Sequence, residues 1–470
     1  MGEVARHGTA VPRGQALAPG RDPPSGRFGR MFPLLEACDA GDHAIEQLVK
    51  LMERRAAGPL LDNDCVPAGF TYLGQFLDHD ITFDPTPMPD RRQDPHALVN
   101  FRTPRFDLDS VYGSGPVAQP YLYDTEQPKS PGTRLLVGRN VVPRKSEDPL
   151  AADDLPRNQQ GRALIGDFRN DENVIVAQLH LLFIRFHNAV ADRVRDFDEA
   201  QRIVRWHYQW IVVHEFLPKV VGKAMAERVL APAAPGTAPA VHRKYFTWQR
   251  EPFIPVEFSG AAYRFGHSMV RDRYEIKRRV GPPPGVSIPL FPRLEGFQRL
   301  RESIVIDWDR FFDLPGFAQD PQPSFRIDTG IGEPLFCLPD GGEPLPRRNL
   351  TRGSRMGLPS GQDVACAMRK RALPEEALLF DEQVEPKARD ALINATPLWY
   401  YLLCEAAHAP EGLHLGPVGG QIVAEVLVGL LEGDPSSFLS VEPTWQPTEL
   451  GTDCDFTMAD LVGIAQGSAQ

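Results

Sequence analysis

The sequence predicts a mainly α protein, built as a single large helical domain with long ordered loops and little β-structure. Apolar residues recur at helical spacing in several segments, most clearly at Ile175, Leu179, Leu182 and Phe186, and this spacing is typical of a helix that buries one face. Alternating patterns that would predict strands are scarce. Segments rich in Pro and Gly separate the helical patterns, and long loops inside a compact domain usually serve a function or hold a cofactor.

The elements are predicted in chain order as follows. Residues 1–30 lack periodic apolar content, so we expect an arm that is poorly ordered or packed on the surface, followed by one domain over residues 31–470. Helical patterns cover residues 33–56, 70–81, 171–190, 198–221, 258–269, 362–372, 384–407 and 418–432. Asp171 is the expected N-cap of the longest helix. Loops are predicted over residues 84–105, 113–160, 229–256 and 281–360.

Composition excludes some classes of function. The net charge of −11 repels a phosphate backbone, so nucleic acid is not an expected partner. No apolar stretch approaches the roughly 20 residues of a membrane-spanning helix. The first thirty residues lack the apolar core of a secretory signal, so we expect a cytoplasmic protein or one exported without a leader.

The six cysteines are scattered and form no C-x-x-C pair. This arrangement favours reduced, mostly buried thiols over a disulfide framework or a metal finger.

The first segment that carries chemistry is residues 74–80. On a helix, Gln75, Asp78 and His79 share one face, whereas Asp80 is rotated by about 100° and faces elsewhere. Polar side chains this dense among apolar neighbours need partners when they are buried.

The second segment is residues 103–113. Thr103, Arg105, Asp107 and Asp109 occupy alternate positions, which project to the same side of an extended loop. Carboxylates, a hydroxyl and a backbone carbonyl make a hard-oxygen site that suits calcium. Taken alone, the segment also fits a solvated acidic loop.

The third segment is residues 167–173. Arg169 precedes a predicted helix N-terminus, where a positive charge is unfavourable. It faces an anion or polar ligand, or it is a surface residue paired with Asp167 or Asp171.

The fourth segment is residues 263–269. His267 lies in an apolar helical pattern, where a histidine is more often a hydrogen-bonded core residue than a ligand. Gly266 beside it changes this weighting, because glycine inside a helix costs about 1 kcal/mol relative to Ala and is tolerated where a flat or bulky group must approach the backbone.

In this order the four segments resemble the animal-type haem peroxidases of the peroxidase–cyclooxygenase superfamily, which include myeloperoxidase, lactoperoxidase and shorter bacterial members similar to this chain. The resemblance covers about residues 31–461 and rests on the occurrence of all four segments in this order, since each segment alone is short. It implies that Gln75, His79 and Arg169 are catalytic on the distal side of haem b. It also implies that His267 is the proximal iron ligand, that Asn349 accepts a hydrogen bond from it, and that Arg352 lies near a haem propionate.

The resemblance further implies two groups of carboxylates. Asp78 and Glu172 match residues that form ester bonds to haem. A structural calcium ion is expected on Asp80, Thr103, the Arg105 carbonyl, Asp107 and Asp109. The implied activity is reduction of hydrogen peroxide through a ferryl intermediate, with oxidation of small organic donors or halide and pseudohalide anions.

The sequence departs from the mammalian members at two places. Asn173 stands where myeloperoxidase has a sulfonium-forming Met, so no such link is expected. Residues 354–356 read Ser-Arg-Met instead of Arg-Asp-His, which weakens inferences about the propionate surroundings.

Three other functions stay open at this point. A fatty-acid dioxygenase of the same superfamily would carry an oxidisable Tyr three residues before the proximal His, where this chain has Arg264 with Tyr263 one residue earlier. The adjacent His79 and Asp80 also occur in metal-dependent phosphohydrolases, which would need further ligands such as His180, His187, His207 or His214. A member that binds haem without catalysis is the third.

Overall fold

The computed structural model describes residues 26–84, 98–126, 132–139, 153–232, 234, 236–278, 287–317, 319–451 and 454–467. Residues 1–25 of the predicted arm and parts of the loops predicted over residues 84–105, 113–160, 229–256 and 281–360 lie outside these ranges. Residues 26–30 are not part of a loose arm, because Phe28 is buried and the guanidinium of Arg30 donates to the carbonyls of Met356 and Gly357.

The described residues are mainly helical, as predicted. The α-helices are α1 (Gly41–Ala56), α2 (Gly69–Ile81), α3 (Asp109–Tyr112), α4 (Val174–Val194), α5 (Phe197–Trp210), α6 (Leu217–Val221), α7 (Lys223–Val229), α8 (Val256–Gly260), α9 (Leu345–Arg355), α10 (Gly361–Ala367), α11 (Pro386–Asn394), α12 (Leu398–His408), α13 (Pro417–Gly433), α14 (Phe438–Val441) and α15 (Met458–Ala465). A π-helix, Ile211–Phe216, joins α5 to α6. The 3₁₀ helices are Pro120–Leu122, Phe168–Asp171, Ala262–His267, Glu302–Ile304, Trp308–Arg310, Glu333–Leu335 and Glu375–Leu378.

The strands are short and form antiparallel pairs. They are β1 (Asp62–Pro67), β2 (Gly138–Arg139), β3 (Asp153–Asp154), β4 (Leu230–Ala231), β5 (Ala240–Val241), β6 (Arg273–Glu275), β7 (Ser287–Pro289) and β8 (Pro323–Phe325). The pairs are β1 with β8, β2 with β3, β4 with β5 and β6 with β7.

Helices α2 and α4 are largely buried in the core. They pack against each other, α4 also packs against α5 and α15, and α2 contacts the 3₁₀ helix Ala262–His267. The rings of Phe76 on α2 and Phe183 on α4 stack with centroids 4.6 Å apart. This packing places the polar end of α2 beside the segment that leads into α4.

Helix α4 is apolar on nearly all sides because it is surrounded by protein. It is long and apolar enough to cross a membrane by length and composition, but 89% of its most apolar window is buried inside the protein. The expectation that no apolar stretch approaches membrane length is therefore wrong for α4, and burial on all faces explains this pattern.

Two predicted helix boundaries need correction. The N-cap of α4 is Asn173, whose side chain accepts from the amides of Ile175 and Val176, and Asp171 instead ends a 3₁₀ helix. The helix predicted over residues 258–269 is broken at Ala261, whose φ of −138° is not helical.

Helix α9 lies in the segment predicted to be irregular. Its sequence has few apolar residues, so it lacks a clear apolar stripe, and surface ion pairs hold it in place. Arg347 pairs with Glu46 of α1, and Arg348 pairs with Asp340.

The six cysteines are free thiols, as predicted. The expectation that most are buried is wrong, because Cys65, Cys337, Cys366 and Cys454 are exposed and Cys404 alone of the six is buried.

Candidate active site

His79 lies near the C-terminal end of α2 and is buried. Its Nδ1 is 2.8 Å from Oδ1 of Asn170, and its Nε2 is 3.8 Å from Oε1 of Glu172. Burial lowers the pKa of His79 to about 4, with a further contribution from the nearby charge of Arg169. A neutral imidazole in this position is able to accept a proton at a ring nitrogen.

Gln75 and Asp78 lie on the same side of α2 as His79. The amide of Gln75 donates to Glu172 and accepts from Nδ2 of Asn173 at 3.2 Å, so it joins α2 to the start of α4. Asp78 accepts from the hydroxyl of Thr82 at 2.9 Å. Burial raises the pKa of Glu172 to about 7.

Arg169 is held between an anion and the end of α2. Its Nε and Nη2 donate to the buried carboxylate of Asp167, and Nη2 also donates to the carbonyls of His79 and Thr82 at 3.0 and 2.6 Å. The pairing with Asp167 is one of the two arrangements that the sequence left open. Among the described residues, Nη1 has no hydrogen-bonding partner, and the positive charge lies close enough to His79 to lower its pKa.

His267 ends the 3₁₀ helix Ala262–His267. Its Nδ1 is 2.8 Å from Nδ2 of Asn349 on α9. Burial lowers its pKa to about 3, with contributions from the charges of Arg264 and Arg352, so Arg352 lies near this ring.

The orientation of Asn349 corrects one expectation. The amide was expected to accept from His267, but it presents nitrogen to the ring because its oxygen accepts from Nη1 of Arg264 at 3.4 Å. An iron ion at Nε2 of His267 would require the proton on Nδ1. The amide would then have to turn by half a rotation to offer its oxygen.

The two histidine elements face each other across a shared region. Tyr263, on the 3₁₀ helix of His267, places its buried hydroxyl 4.0 Å from the position that a Cβ would take at Gly74 of α2. A Cβ at Gly266 would meet nothing within 4 Å, so there is open space directly beside His267. Within the described residues neither Nε2 of His79 nor Nε2 of His267 takes part in a hydrogen bond. This arrangement fits a flat group bound between the two rings.

A second polar site lies beside His79. Side-chain oxygens of Asp80, Asp107 and Asp109 lie within 4.8 Å of one another. Burial and the negative charge of Asp107 raise the pKa of Asp80 to about 7, and the pKa of Asp109 is also raised by burial and by Asp107. Oδ2 of Asp109 is buried without a hydrogen-bonding partner among the described residues. Clustered, partly unsatisfied carboxylates of this kind fit a hard cation.

The loop of residues 103–109 brings its carboxylates to Asp80 in a conformation that the sequence did not predict. Instead of extending from residue 103 to 109, it turns at Leu108, which has a positive φ of 57°, and Asp109 begins α3. Thr103 donates to Asp107 at 2.8 Å. The side chain of Arg105 points toward Asp434, with 3.8 Å between Nε and Oδ1.

Sequence reasoning missed four residues that organise both sites. Asn170 and its neighbour His180 support His79, with 3.0 Å between Asn170 Nδ2 and His180 Nδ1. Tyr208 donates to Asp80. Arg102 contacts Asp109 at 3.2 Å and Asp167 at 2.6 Å, and so lies between the acidic cluster and the partner of Arg169. The position of Asn170 next to Arg169 was the one available signal in the sequence.

The histidines that a phosphohydrolase would need do not gather at a metal site. Among the described residues the acidic cluster is the one group of three or more candidate ligands, and it contains no histidine. His187 bonds the Tyr112 hydroxyl and the Thr133 carbonyl, and His207 bonds the Ile203 carbonyl. These histidines fill structural positions.

Comparison with known proteins places this geometry in a family. The sequence model for animal haem peroxidases matches residues 84–300. Chorion peroxidase of Drosophila melanogaster is 28% identical over 358 residues, which cover 70% of this chain and 40% of that protein. Peroxidase A from Dictyostelium discoideum has the same fold with a TM-score of 0.63 at 17% identity, over 89% of this chain and 88% of that chain.

A second solved structure of the same fold has a different named activity. The fatty acid alpha-dioxygenase of Oryza sativa has a TM-score of 0.61 at 15% identity, over 92% of this chain and 78% of that chain. The chain spans less than half the length of the first curated relatives that it matches. The family match over residues 84–300 and the peroxidase relatives, together with the helical fold, lead to one conclusion: the chain is related to the animal haem peroxidases.

Proposed function

We propose that this protein is a haem peroxidase that reduces hydrogen peroxide and oxidises small organic donors or halide and pseudohalide anions. One observation carries the proposal, and it concerns His79 and His267, which lie on facing elements. Nδ1 of His79 is 2.8 Å from the amide of Asn170, and Nδ1 of His267 is 2.8 Å from the amide of Asn349. Nε2 of each ring makes no hydrogen bond among the described residues. With these ring nitrogens unpaired, His267 would be able to bind iron once the Asn349 amide turns its oxygen to Nδ1, and His79 would be able to move a proton.

His267 would hold the iron of haem b through Nε2, and the open space at Gly266 would admit the ring beside it. Arg352, whose charge lies near His267, would pair with a propionate. Asp78 and Glu172 would border the ring edge and could form ester links to it. Peroxide is the oxidant, and bound haem would store its oxidising equivalents until electron donors reduce the haem again.

His79 would act as the proton carrier. Its neutral Nε2 takes a proton from one oxygen of peroxide and returns it to the other, so that the leaving oxygen departs as water. Arg169 would stabilise the negative charge that develops on that oxygen. Gln75, fixed between Glu172 and Asn173, would bound the small space in which peroxide and anions sit.

Asp80, Asp107 and Asp109 would hold a structural calcium ion, with Thr103 and the Arg105 carbonyl as further ligands. The supporting observation is the convergence of the three carboxylates within 4.8 Å. Because Asp80 follows His79 directly in the chain, the ion would fix the end of α2 against the 103–109 loop.

The direct test is the visible spectrum of the purified protein, followed in a rapid-mixing experiment with hydrogen peroxide. We expect a Soret band that shifts on mixing and returns when a generic donor is added. His79→Ala should keep the resting band and slow the shift by about two to four orders of magnitude. His43→Ala, which alters an exposed histidine paired with Glu385, should change neither. Absence of a Soret band, or a shift of normal rate in His79→Ala, would contradict the proposal.

The second candidate function is oxygenation of a fatty acid. The observation that favours it is the hydroxyl of Tyr263, which is buried without a hydrogen-bonding partner among the described residues and lies near Gly74 and Asp78. Oxygen uptake on addition of an unsaturated or saturated fatty acid, abolished in Tyr263→Phe, would establish it. Peroxidase activity that is unchanged in Tyr263→Phe, without oxygen uptake in either protein, would exclude it.

A further inference from the structure

Three buried side chains form a hydrogen-bonded row that leads from the proposed peroxide site into the core. Nδ1 of His79 is 2.8 Å from Oδ1 of Asn170, and Nδ2 of Asn170 is 3.0 Å from Nδ1 of His180. Asn170 and His180 are fully buried. The row ends at His180, because its Nε2 is buried and has no hydrogen-bonding partner among the described residues.

The amide fixes the direction of both bonds. An amide oxygen accepts only, and an amide nitrogen donates only. His79 must therefore donate from Nδ1, and His180 must accept at Nδ1. Because a neutral imidazole carries one N–H, Nε2 of His79 is left with a lone pair, and the proton of His180 is on Nε2.

We propose that Asn170 is a positioning residue that holds His79 in the Nδ1–H tautomer with Nε2 directed to peroxide, and that His180 locks the amide of Asn170 in the orientation this requires. The inference deepens the proposed peroxidase function and rests on it. Without His180, the amide could turn and present nitrogen to His79, which would place the imidazole proton on Nε2 and remove the proton acceptor.

The same row keeps the transferred proton at the active site. The proton leaves one peroxide oxygen, forms the Nε2–H bond of His79, and then passes to the other oxygen as that N–H bond breaks, so His79 ends unchanged. The amide oxygen of Asn170 is too weak a base to take the Nδ1 proton. The row therefore orients the ring without offering the proton a path into the core.

The second histidine–asparagine pair, His267 with Asn349, has the opposite amide orientation. At His267 the asparagine presents its nitrogen to Nδ1, because Arg264 holds the oxygen of Asn349. The two asparagine amides thus present opposite ends to the two histidines: Asn170 presents its oxygen to His79 and its nitrogen to His180, whereas Asn349 presents its nitrogen to His267 and its oxygen to Arg264.

The first test is neutron diffraction from crystals of the holoprotein after exchange into heavy water. Deuterium is expected on Nδ1 of His79, on Nε2 of His180, and on the side of the Asn170 amide that faces His180. Deuterium on Nε2 of His79, or a reversed amide, would overturn the proposal whatever the activity of the protein proves to be.

The second test compares three variants in the rapid-mixing reaction with peroxide. Asn170→Leu, which removes the acceptor, should lower the second-order rate constant at least 10-fold with haem still bound, and Asn170→Asp, which keeps an accepting oxygen, should recover part of that loss. The matched control is Asn188→Leu, since Asn188 is a buried asparagine whose amide bonds the backbone of Leu135 at 2.8 and 2.9 Å. It should lose stability without a comparable loss of rate.

The outcomes separate the two proposals. A wild-type protein that never reacts with peroxide would refute the proposed function, while the neutron result would still decide the tautomer. A reacting wild type whose rate is the same in Asn170→Leu would refute the role of Asn170 and leave the peroxidase proposal standing. An equal loss of rate in Asn188→Leu would also count against Asn170, because it would show that general destabilisation accounts for the effect.

Discussion

The hydroxyl of Tyr208 donates a 3.2 Å hydrogen bond to Oδ2 of Asp80, although the two residues lie 128 positions apart. Asp80 also accepts from the amide of Leu108 and the hydroxyl of Ser110, at 3.1 Å each. The carboxylate is therefore held in one orientation before a cation binds. Outer partners of this kind typically change metal affinity by 10–100-fold.

We predict that Tyr208→Phe weakens calcium binding by about 10–100-fold and leaves the fold intact. Chelator competition with calcium measures the affinity directly. The control is Tyr400→Phe, which removes an equally buried hydroxyl that bonds the Leu378 carbonyl. Equal affinity in Tyr208→Phe and wild type would show that the hydroxyl does not orient a ligand.

Removal of a proposed ligand should have a larger effect. Asp107→Asn should reduce bound calcium and lower the unfolding temperature together, because a metal that binds only the folded state stabilises it by mass action. Asp390→Asn changes an exposed carboxylate on α11 and should alter neither quantity. Full calcium occupancy in Asp107→Asn, by elemental analysis, would remove this residue from the site.

His267→Ala should lose most of its haem, or keep it with a displaced Soret band, because the fifth bond to iron is gone. The ratio of Soret to protein absorbance after purification is the measurement. Asn349→Asp offers acceptor oxygens alone to Nδ1 of His267 and should retain haem. A His267→Ala protein with the wild-type spectrum and activity would show that another residue binds the iron.

Ester links to haem should form during turnover. Peroxide makes the bound ring electrophilic toward a nearby carboxylate, so the linked fraction should rise after small doses of peroxide and fall in Asp78→Asn and Glu172→Gln. Denaturing chromatography detected at the Soret wavelength measures this fraction. Asn173 has no sulfur, and its side chain caps α4, so no sulfonium link should appear. Haem that separates fully from the wild-type chain after peroxide would exclude ester links.

The protein should lose stability as the pH falls from about 6.5 to about 4, and His187 should contribute to the loss. Its Nδ1 lies 3.0 Å from the Tyr112 hydroxyl and its Nε2 lies 2.8 Å from the Thr133 carbonyl, which satisfies the neutral ring. Burial lowers its pKa to about 4. The unfolded chain then takes up this proton near pH 6.5 while the folded protein does not, so stability is fully present above that pH and declines below it.

The contribution of His187 is on the order of 3 kcal/mol, since its pKa is lowered from 6.5 to about 4 and each pKa unit corresponds to about 1.4 kcal/mol. Denaturant unfolding at several pH values should give a shallower decline for His187→Gln than for wild type. His43→Gln, at an exposed histidine, should leave the slope unchanged. A His187→Gln slope equal to that of wild type would mean that other groups account for the acid sensitivity.

The sequence alone predicted the helical class and singled out the segments that hold His79 and His267, because helical spacing and short motifs are local properties. It was not sufficient for the partners of these residues. The side chain of Asn170 reaches His79 because residues 168–171 form a 3₁₀ turn, and a reading that began the helix at Asp171 could not place it. The bend of the acidic loop toward Asp80 depends on the positive φ of Leu108, which the sequence did not predict.

Arg102 and Tyr208 were missed for another reason. Arg102 reaches Asp167 across 65 residues and Tyr208 reaches Asp80 across 128, and neither lies in a motif. The helix α9, which carries Asn349, has few apolar residues and so no clear apolar stripe, although Asn349 and Leu350 are buried. Tertiary contacts of this kind leave no periodic pattern in a single sequence.

Arg102 contacts Asp109 of the acidic cluster and Asp167, which in turn holds Arg169. If the acidic cluster binds calcium and Arg169 binds an anion, as proposed, this row would couple the two binding equilibria. Linkage is reciprocal, so the factor by which calcium changes the affinity of a small anion at Arg169 must equal the factor by which that anion changes the affinity of calcium. Paired titrations should give the same ratio in both directions for wild type and a ratio near one for Arg102→Ala. A ratio in Arg102→Ala as large as that of wild type would show that the row does not couple the two ends.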